Sequence, residues 1–361
     1  MKTLNNLMQL LKKRKQIHTE LSDIPSDTYV DSRRNILKSL AALPFVGLFG
    51  WGGYRNNKVY GASTPVGTAV RVNQVESNQL KGELPKGKLG NHELSRLIMG
   101  GNPIGGWAHS RDLIYSTSLF KAYFTEKKIF ETLAVCEQVG INCINIGFVT
   151  MPTLVEYRKV TGSKMKVIVQ VNTLDNIRAA IDSGMDIIQI QGGRSDTLVR
   201  DGNIEPIGEM IEAIRKQGIV AGLAAHEIDS FLLCGEKGIV PDYYMCCMHH
   251  DNYWSAHPRE NRKKFQTLER HSVDHNMYHG NMFCAFPERA IDFVNSTKVP
   301  VMGYKILAAG AIYPQDGFNW AFENGADFIC VGMFDFQIVD NTNMCIDTLQ
   351  NLQNRGRSWY A

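Results

Sequence analysis

The chain has 361 residues, of which 44% are hydrophobic and 21% charged. That composition excludes a disordered protein, a collagen-like fibre and a small disulfide-stapled scaffold, and it supplies apolar material for one large core or two small ones. The formal charge is +3, yet residues 1–61 hold ten Lys/Arg against four Asp/Glu, leaving 29 basic and 32 acidic residues beyond them. The remainder is mildly acidic and carries no basic stripe, so no nucleic-acid partner is expected.

Residues 32–38 read S-R-R-N-I-L-K, and Leu40 to Trp51 follow without a charge. The paired Arg33 and Arg34, the apolar Ile36-Leu37 and Lys38 resemble a twin-arginine export signal, with Ile36 where that motif prefers Phe. The run is too short for an ordinary membrane span of roughly 20 residues. The resemblance implies the twin-arginine export machinery as a partner and a periplasmic or exported location. Val59-Tyr60-Gly61 is a weak cleavage site, which leaves a retained N-terminal anchor as the alternative. We divide the chain into a signal or anchor region (1–61), a polar linker (62–87) and a TIM-barrel domain (88–361).

From Leu94 onward, short apolar runs alternate with helix-period stretches. Eight strands are expected, at 96–100, 142–147, 166–171, 186–191, 219–224, 243–248, 300–306 and 327–332. Helical segments at 127–139, 173–183 and 205–217 each end at a glycine (Gly140, Gly184, Gly218), the punctuation of a parallel sheet. Eight such units predict an α/β fold of the (β/α)8 TIM-barrel type. A doubly wound open sheet is the runner-up, weakened because no G-x-G-x-x-G opens a helix after a strand. Eight cysteines, several of them inside apolar runs and none in a C-x-x-C, read as buried thiols.

Chemistry in such barrels sits at the C-terminal strand ends. Those positions hold Asn102, Asn145, Gln170, Asn172, Gln191, His226, Glu227, His249, His250, Lys305 and Met333. So polar a set at one end of apolar strands points to a polar ligand.

The stretch K-L-G-N-H-E-L-S-R-L-I-M-G-G-N at 88–102, G-I-N-C-I-N at 140–145, G-Y-K-I-L-A-A-G at 303–310 and G-A-D-F-I-C-V-G-M-F at 325–334 resemble the aldo/keto reductases. The resemblance implies a hairpin plugging the barrel floor and a reductase-like barrel. It also implies where the family tetrad of Asp, Tyr, Lys and His would fall: at Asn145, Thr150, Gln170 or Val171, and Gln191. All four differ, and an amide cannot tune a phenol as a Lys and Asp pair does. The family's nucleotide site would involve Lys305, Met333 and Gln337, but Asp335 would repel a 2′-phosphate, so NAD(H) or no nucleotide is expected.

Replacement chemistry is expected from His226, Glu227, His249 and Lys305. Three readings of the His-rich stretch 226–279 stand side by side: a divalent metal on His226, Glu227 and His249, acid/base histidines without metal, and a polar surface loop. Residues 251–286 form a long insertion of the kind that covers barrel mouths. Trp107, His109, Arg111 and Asp112 form a second wall, suited to sugar-like polyols or to a packed cover. With Asn102, Asn145, Gln170 and Gln191 these are the substrate-binding candidates. The functional expectation is an exported enzyme for a small polar carbonyl or sugar-like molecule. The alternatives are a metal-dependent lyase, isomerase or hydratase, and a ligand-binding protein without catalysis.

Overall fold

The computed structural model describes residues 79–108, 113, 115–269 and 280–361. The export-signal motif lies outside them, as do His109, Arg111 and Asp112. Among the described residues no helix is long and apolar enough to cross a membrane.

A two-stranded antiparallel hairpin comes first, β1 (Lys86–Leu89) and β2 (His92–Ser95), pairing Lys86 with Ser95 and Leu89 with His92. Eight parallel strands then close on themselves: β3 (Leu97–Gly100), β4 (Cys143–Gly147), β5 (Lys166–Val171), β6 (Ile187–Ile190), β7 (Val220–Ala225), β8 (Tyr243–Cys247), β9 (Val301–Tyr304) and β10 (Phe328–Val331), with β10 beside β3. This is the (β/α)8 barrel that the alternation of apolar runs predicts, and each expected strand is present. Helices lie between and after the strands: α1 (Asn102–Gly105), α2 (Ser116–Tyr123), α3 (Glu126–Gln138), α4 (Met151–Thr161), α5 (Leu174–Asp182), α6 (Gly192–Arg200), α7 (Glu205–Arg215), α8 (Ile228–Glu236), α9 (Pro287–Ser296), α10 (Pro314–Glu323) and α11 (Asp335–Gln350). The closed sheet replaces the open doubly wound alternative.

Two apolar layers result from strand alternation. Ile98, Cys143, Ile168, Ile187, Tyr243, Met302 and Phe328 fill the barrel, with Leu89 and Leu94 of the hairpin pushed in from below. The opposite strand faces pack on the helices through residues such as Met99, Ile144, Val169, Ile188 and Leu223. Leu84, inside the stretch that composition marks as linker, is buried in this outer layer, so the packed domain begins ahead of residue 88. All eight cysteines are buried and unpaired, as their apolar settings predict.

The barrel floor is tied by a device repeated four times. The residue just ahead of each even-numbered barrel strand accepts a backbone N–H within two residues of the start of the barrel strand before it. Asn142 Oδ1 accepts from Ser95 N at 2.8 Å, Asp186 from Val167 N at 2.9 Å, Asp242 from Ala221 N at 2.7 Å and Asp327 from Val301 N at 2.9 Å. The three carboxylates are each matched by arginine: Asp186 by Arg158, Asp242 by Arg215 at 2.7 Å, and Asp327 by Arg357 and by Arg355 at 3.0 Å. Asp327 is fully buried and also accepts from Tyr360 N at 2.9 Å, so it ties the C-terminal residues to the floor. Burial works against the ionisation of Asp186. The Val167 N–H and the Arg158 and Lys166 cations outweigh it, so its pKa lies below the usual carboxylate value.

Removing one member of a buried ion pair leaves the other charged and unmatched. Asp327→Ala should therefore destabilise by about 3–5 kcal/mol, while Asn142→Ala, which loses a neutral acceptor, should cost about 1 kcal/mol. Urea unfolding of the two variants measures the difference, and equal losses would contradict the ranking.

Candidate functional site

The barrel carries two polar groupings, one among the strands and one at their C-terminal ends. The first lies inside the barrel and consists of amides. Gln170 Nε2 donates to Asn145 Oδ1 at 2.6 Å, Asn145 Nδ2 donates to Gln189 Oε1 at 3.3 Å, and the Tyr243 hydroxyl donates to the same Gln189 oxygen at 2.7 Å. Gln189 is fully buried and its Nε2 has no protein acceptor. Gly222 makes the chain possible, because a Cβ there would lie 2.4 Å from the Tyr243 ring that crosses to Gln189. Asn145 and Gln170 are thus brought together as the strand-end pattern predicts. Gln189 was not among the predicted residues, although the spacing I-I-Q-I-Q already places it on the same strand face as Gln191.

The second grouping centres on Asp196, on α6 and fully buried. Its carboxylate accepts from His226 N at 3.0 Å, from His226 Nδ1 at 2.8 Å, from Glu227 N at 3.2 Å and from Ser230 Oγ at 2.8 Å. The Nδ1 contact commits that ring nitrogen of His226 to Asp196. Tyr304, the last residue of β9, lies against the same imidazole with ring centroids 5.7 Å apart, and its hydroxyl donates to Ala225 O at 3.2 Å. Lys305 Nζ lies 5.8 Å from the Tyr304 ring centroid and 3.9 Å from that of Phe283. His226 and Lys305 therefore converge on one aromatic ring. Gly192 at the start of α6 permits this approach, since a Cβ there would stand 3.0 Å from the Tyr304 hydroxyl and 3.2 Å from the His226 ring.

Lys305 is not inside strand β9 as the sequence suggests. It is the first residue past it, held at φ +57°, and Ala308 and Ala309 follow at +46° and +54°. Three non-glycine residues in the left-handed region within five positions are costly, and such strain is kept where surrounding contacts fix it. Burial raises the Tyr304 phenol well above its ordinary pKa. It holds its proton firmly, unlike the phenol of the reductase tetrad.

The predicted metal set does not converge. His249 is buried and uses both ring nitrogens: Nδ1 donates to His250 O at 2.8 Å, and Nε2 accepts from Phe283 N at 3.1 Å and Cys284 N at 2.9 Å. Glu227 Oε2 accepts from Phe265 N at 2.7 Å. These two side chains pin the long β8–β9 connection to the strand ends instead of facing His226. Among the described residues no three His, Cys, Asp or Glu side chains are grouped to hold a metal ion.

The nucleotide candidates after β10 do not fit a 2′-phosphate either. Met333 is buried, and Gln337 Oε1 accepts from Phe334 N at 3.0 Å as a helix cap. Asp335, expected to repel a phosphate, is bound by Lys128 at 3.0 Å and by the Tyr123 hydroxyl. Gln191 is also a cap, accepting from Arg194 N at 2.7 Å. Asn102 is the first residue of α1 and exposed, Trp107 is 56% exposed, and Thr150 is buried.

Two solved structures from Pseudomonas aeruginosa, assigned as aldo-keto reductases, share this architecture. One is 14% identical at a TM-score of 0.51, covering 76% of this chain and 100% of the other. The second is 13% identical at 0.50, covering 75% and 99%. Neither the family models nor the curated proteins match the sequence. The likeness defines a TIM barrel of reductase-like architecture, and at this identity it concerns the fold alone.

The two pinning groups titrate in opposite senses. Burial lowers His249 from 6.5 to about 4, so the stability it contributes is present above 6.5 and is lost as the pH falls toward 4. Burial raises Glu227 from 4.5 to about 7, so its contribution is present below 4.5 and is lost as the pH rises through 7. The two oppose each other between pH 4.5 and 6.5. Glu227→Gln should then make stability rise with pH across that interval, and His249→Gln should make it fall, each by up to about 3 kcal/mol. Thermal melts in a pH series test the signs.

Proposed function

We propose that this protein is an exported enzyme that moves protons on a small polar carbonyl or sugar-like substrate, using an Asp196–His226 dyad in place of the reductase tetrad. The observation that carries this is the buried Asp196 carboxylate 2.8 Å from His226 Nδ1, at the end of the barrel where TIM-barrel chemistry occurs. A carboxylate in that position fixes the imidazole tautomer and stabilises the imidazolium that forms when Nε2 takes a proton.

The geometry supports the following roles. His226 removes a proton from a carbon or hydroxyl beside the substrate carbonyl. The Lys305 cation meets the negative charge that develops on the carbonyl oxygen. The amides of Gln170, Asn145 and Gln189 take the substrate's hydroxyls, with Gln189 Nε2 donating to a substrate oxygen. Return of that proton to the former carbonyl carbon, with the neighbouring hydroxyl proton passing to the former carbonyl oxygen, completes an isomerisation, and no external reductant is consumed. The twin-arginine-type segment supports export of the folded domain, through the motif at Arg33 and Arg34.

The test is proton exchange in D2O, followed by NMR, on dihydroxyacetone, glyceraldehyde and fructose. The intact protein should accelerate exchange at the carbon beside the carbonyl. His226→Gln should lower that rate by about 100- to 10,000-fold, with the melting temperature held. Asp196→Asn should lower it as well, and an unchanged rate in His226→Gln would remove the dyad from the reaction.

A further inference from the structure

The long β8–β9 connection is fastened beside the dyad at residues 264–265. Phe265 N donates to Glu227 Oε2 at 2.7 Å, and Lys264 Nζ meets Asp229 Oδ1 at 2.9 Å. Glu227 and Asp229 are one and three residues along the chain from His226. A short 3-10 turn (Gln266–Glu269) follows, and Gln266 is buried. Closing this strap has a cost. Phe265 is held at φ +59°, in the region that favours glycine. Gln266 Nε2 and Thr267 Oγ1 are buried and have no hydrogen-bond partner among the described residues. Release would hydrate both groups and relax the backbone.

The Glu227 carboxyl sets how firmly the strap holds. It is buried, and its Oε2 accepts the Phe265 N–H. The Arg289 guanidinium stands 3.8 Å from Oε1 and donates instead to Asp229, at 2.8 and 3.0 Å. The groups that face Glu227 are Asp196 from α6, Asp229 from α8, Arg289 from α9, and the thiols of Cys246 and Cys284. Burial keeps both thiols protonated. Asp229, matched by Arg289 and Lys264, stays ionised. Burial first, then Asp229 and Asp196, push Glu227 up to about 7, and the Phe265 N–H and Arg289 do not offset them. On release, water returns the carboxyl toward its ordinary 4.5. The closed strap therefore holds the proton more tightly than the released one, and each unit between the two values is tenfold in closing. Closing is fully favoured below 4.5 and its advantage is lost as the pH rises through 7.

We propose that residues 264–269 form a proton-operated strap, closed over Glu227 while its carboxyl is protonated and released when that carboxyl ionises. The strap does not depend on the reaction proposed above, and its test uses no substrate. The measurement is amide hydrogen exchange of the full chain at about pH 5 and about pH 8, resolved to single residues and expressed as protection over the intrinsic rate at each pH. The Phe265 amide should be about 50- to 100-fold less protected at the higher pH. The Phe283 and Cys284 amides, held by His249, are the internal reference. They should not lose protection, because burial keeps His249 neutral at both values. Glu227→Gln keeps an oxygen for the Phe265 N–H without the charge, and should leave Phe265 equally protected at both. Equal protection of Phe265 in the unmodified protein overturns the inference. So does a parallel loss at Phe283 and Cys284, which marks general loosening, and so does a pH dependence that survives Glu227→Gln. Should that variant not fold, the comparison in the unmodified protein decides by itself.

Discussion

The barrel depends on a carboxylate or amide oxygen meeting a backbone N–H at its floor. A parallel strand pair has no tight turn to set its register, because its ends are joined through a helix. Asn142, Asp186, Asp242 and Asp327 supply what the turn would, each fixing a backbone N–H within two residues of the start of one strand against the approach of the next. Carboxylate acceptors of N–H groups are stronger than neutral ones, and three of the four are carboxylates matched by arginine. With the register fixed at the floor, every side chain along a strand has its face decided, including those that arrive at the mouth.

The same interaction appears at the mouth with a different outcome. Asp196 also collects backbone N–H groups, from His226 and Glu227, but it adds the imidazole Nδ1. The carboxylate thereby fixes the orientation of an imidazole as well as of the backbone. His249 and Glu227 show the reverse: titratable side chains at strand ends whose lone pairs are used to hold backbone. Residue type at a strand end therefore does not settle whether a group is chemical or structural. What settles it is where the second atom of the side chain is committed.

The eight strands were legible because the apolar runs are short and alternate with helix-period stretches that end at glycines. The floor device was legible in principle. Gly-Ile-Asn at 140–142, Gly-Met-Asp at 184–186 and Gly-Ala-Asp at 325–327 share one pattern ahead of a strand, while Asp242 sits farther from its Gly238. Asn145, Gln170, His226 and Lys305 were placed at the mouth by strand position alone. Asp196 was not, because it lies inside helix α6, where a lone acid normally reads as solvent-facing. The grouping of His226, Glu227 and His249 as ligands failed because adjacency of strand ends says nothing about the connection folding back onto them.

Four latches at the floor also divide the barrel into quarters, each of two strands with its own closure. A quarter fastened at one end is indifferent to the length of chain leaving the other. The β8–β9 connection can run from His249 to Phe286 without disturbing β9, because Asp327 holds Val301 independently. The architecture behaves as a socket: its base is wired for fit, and the fixtures on its open side are exchangeable.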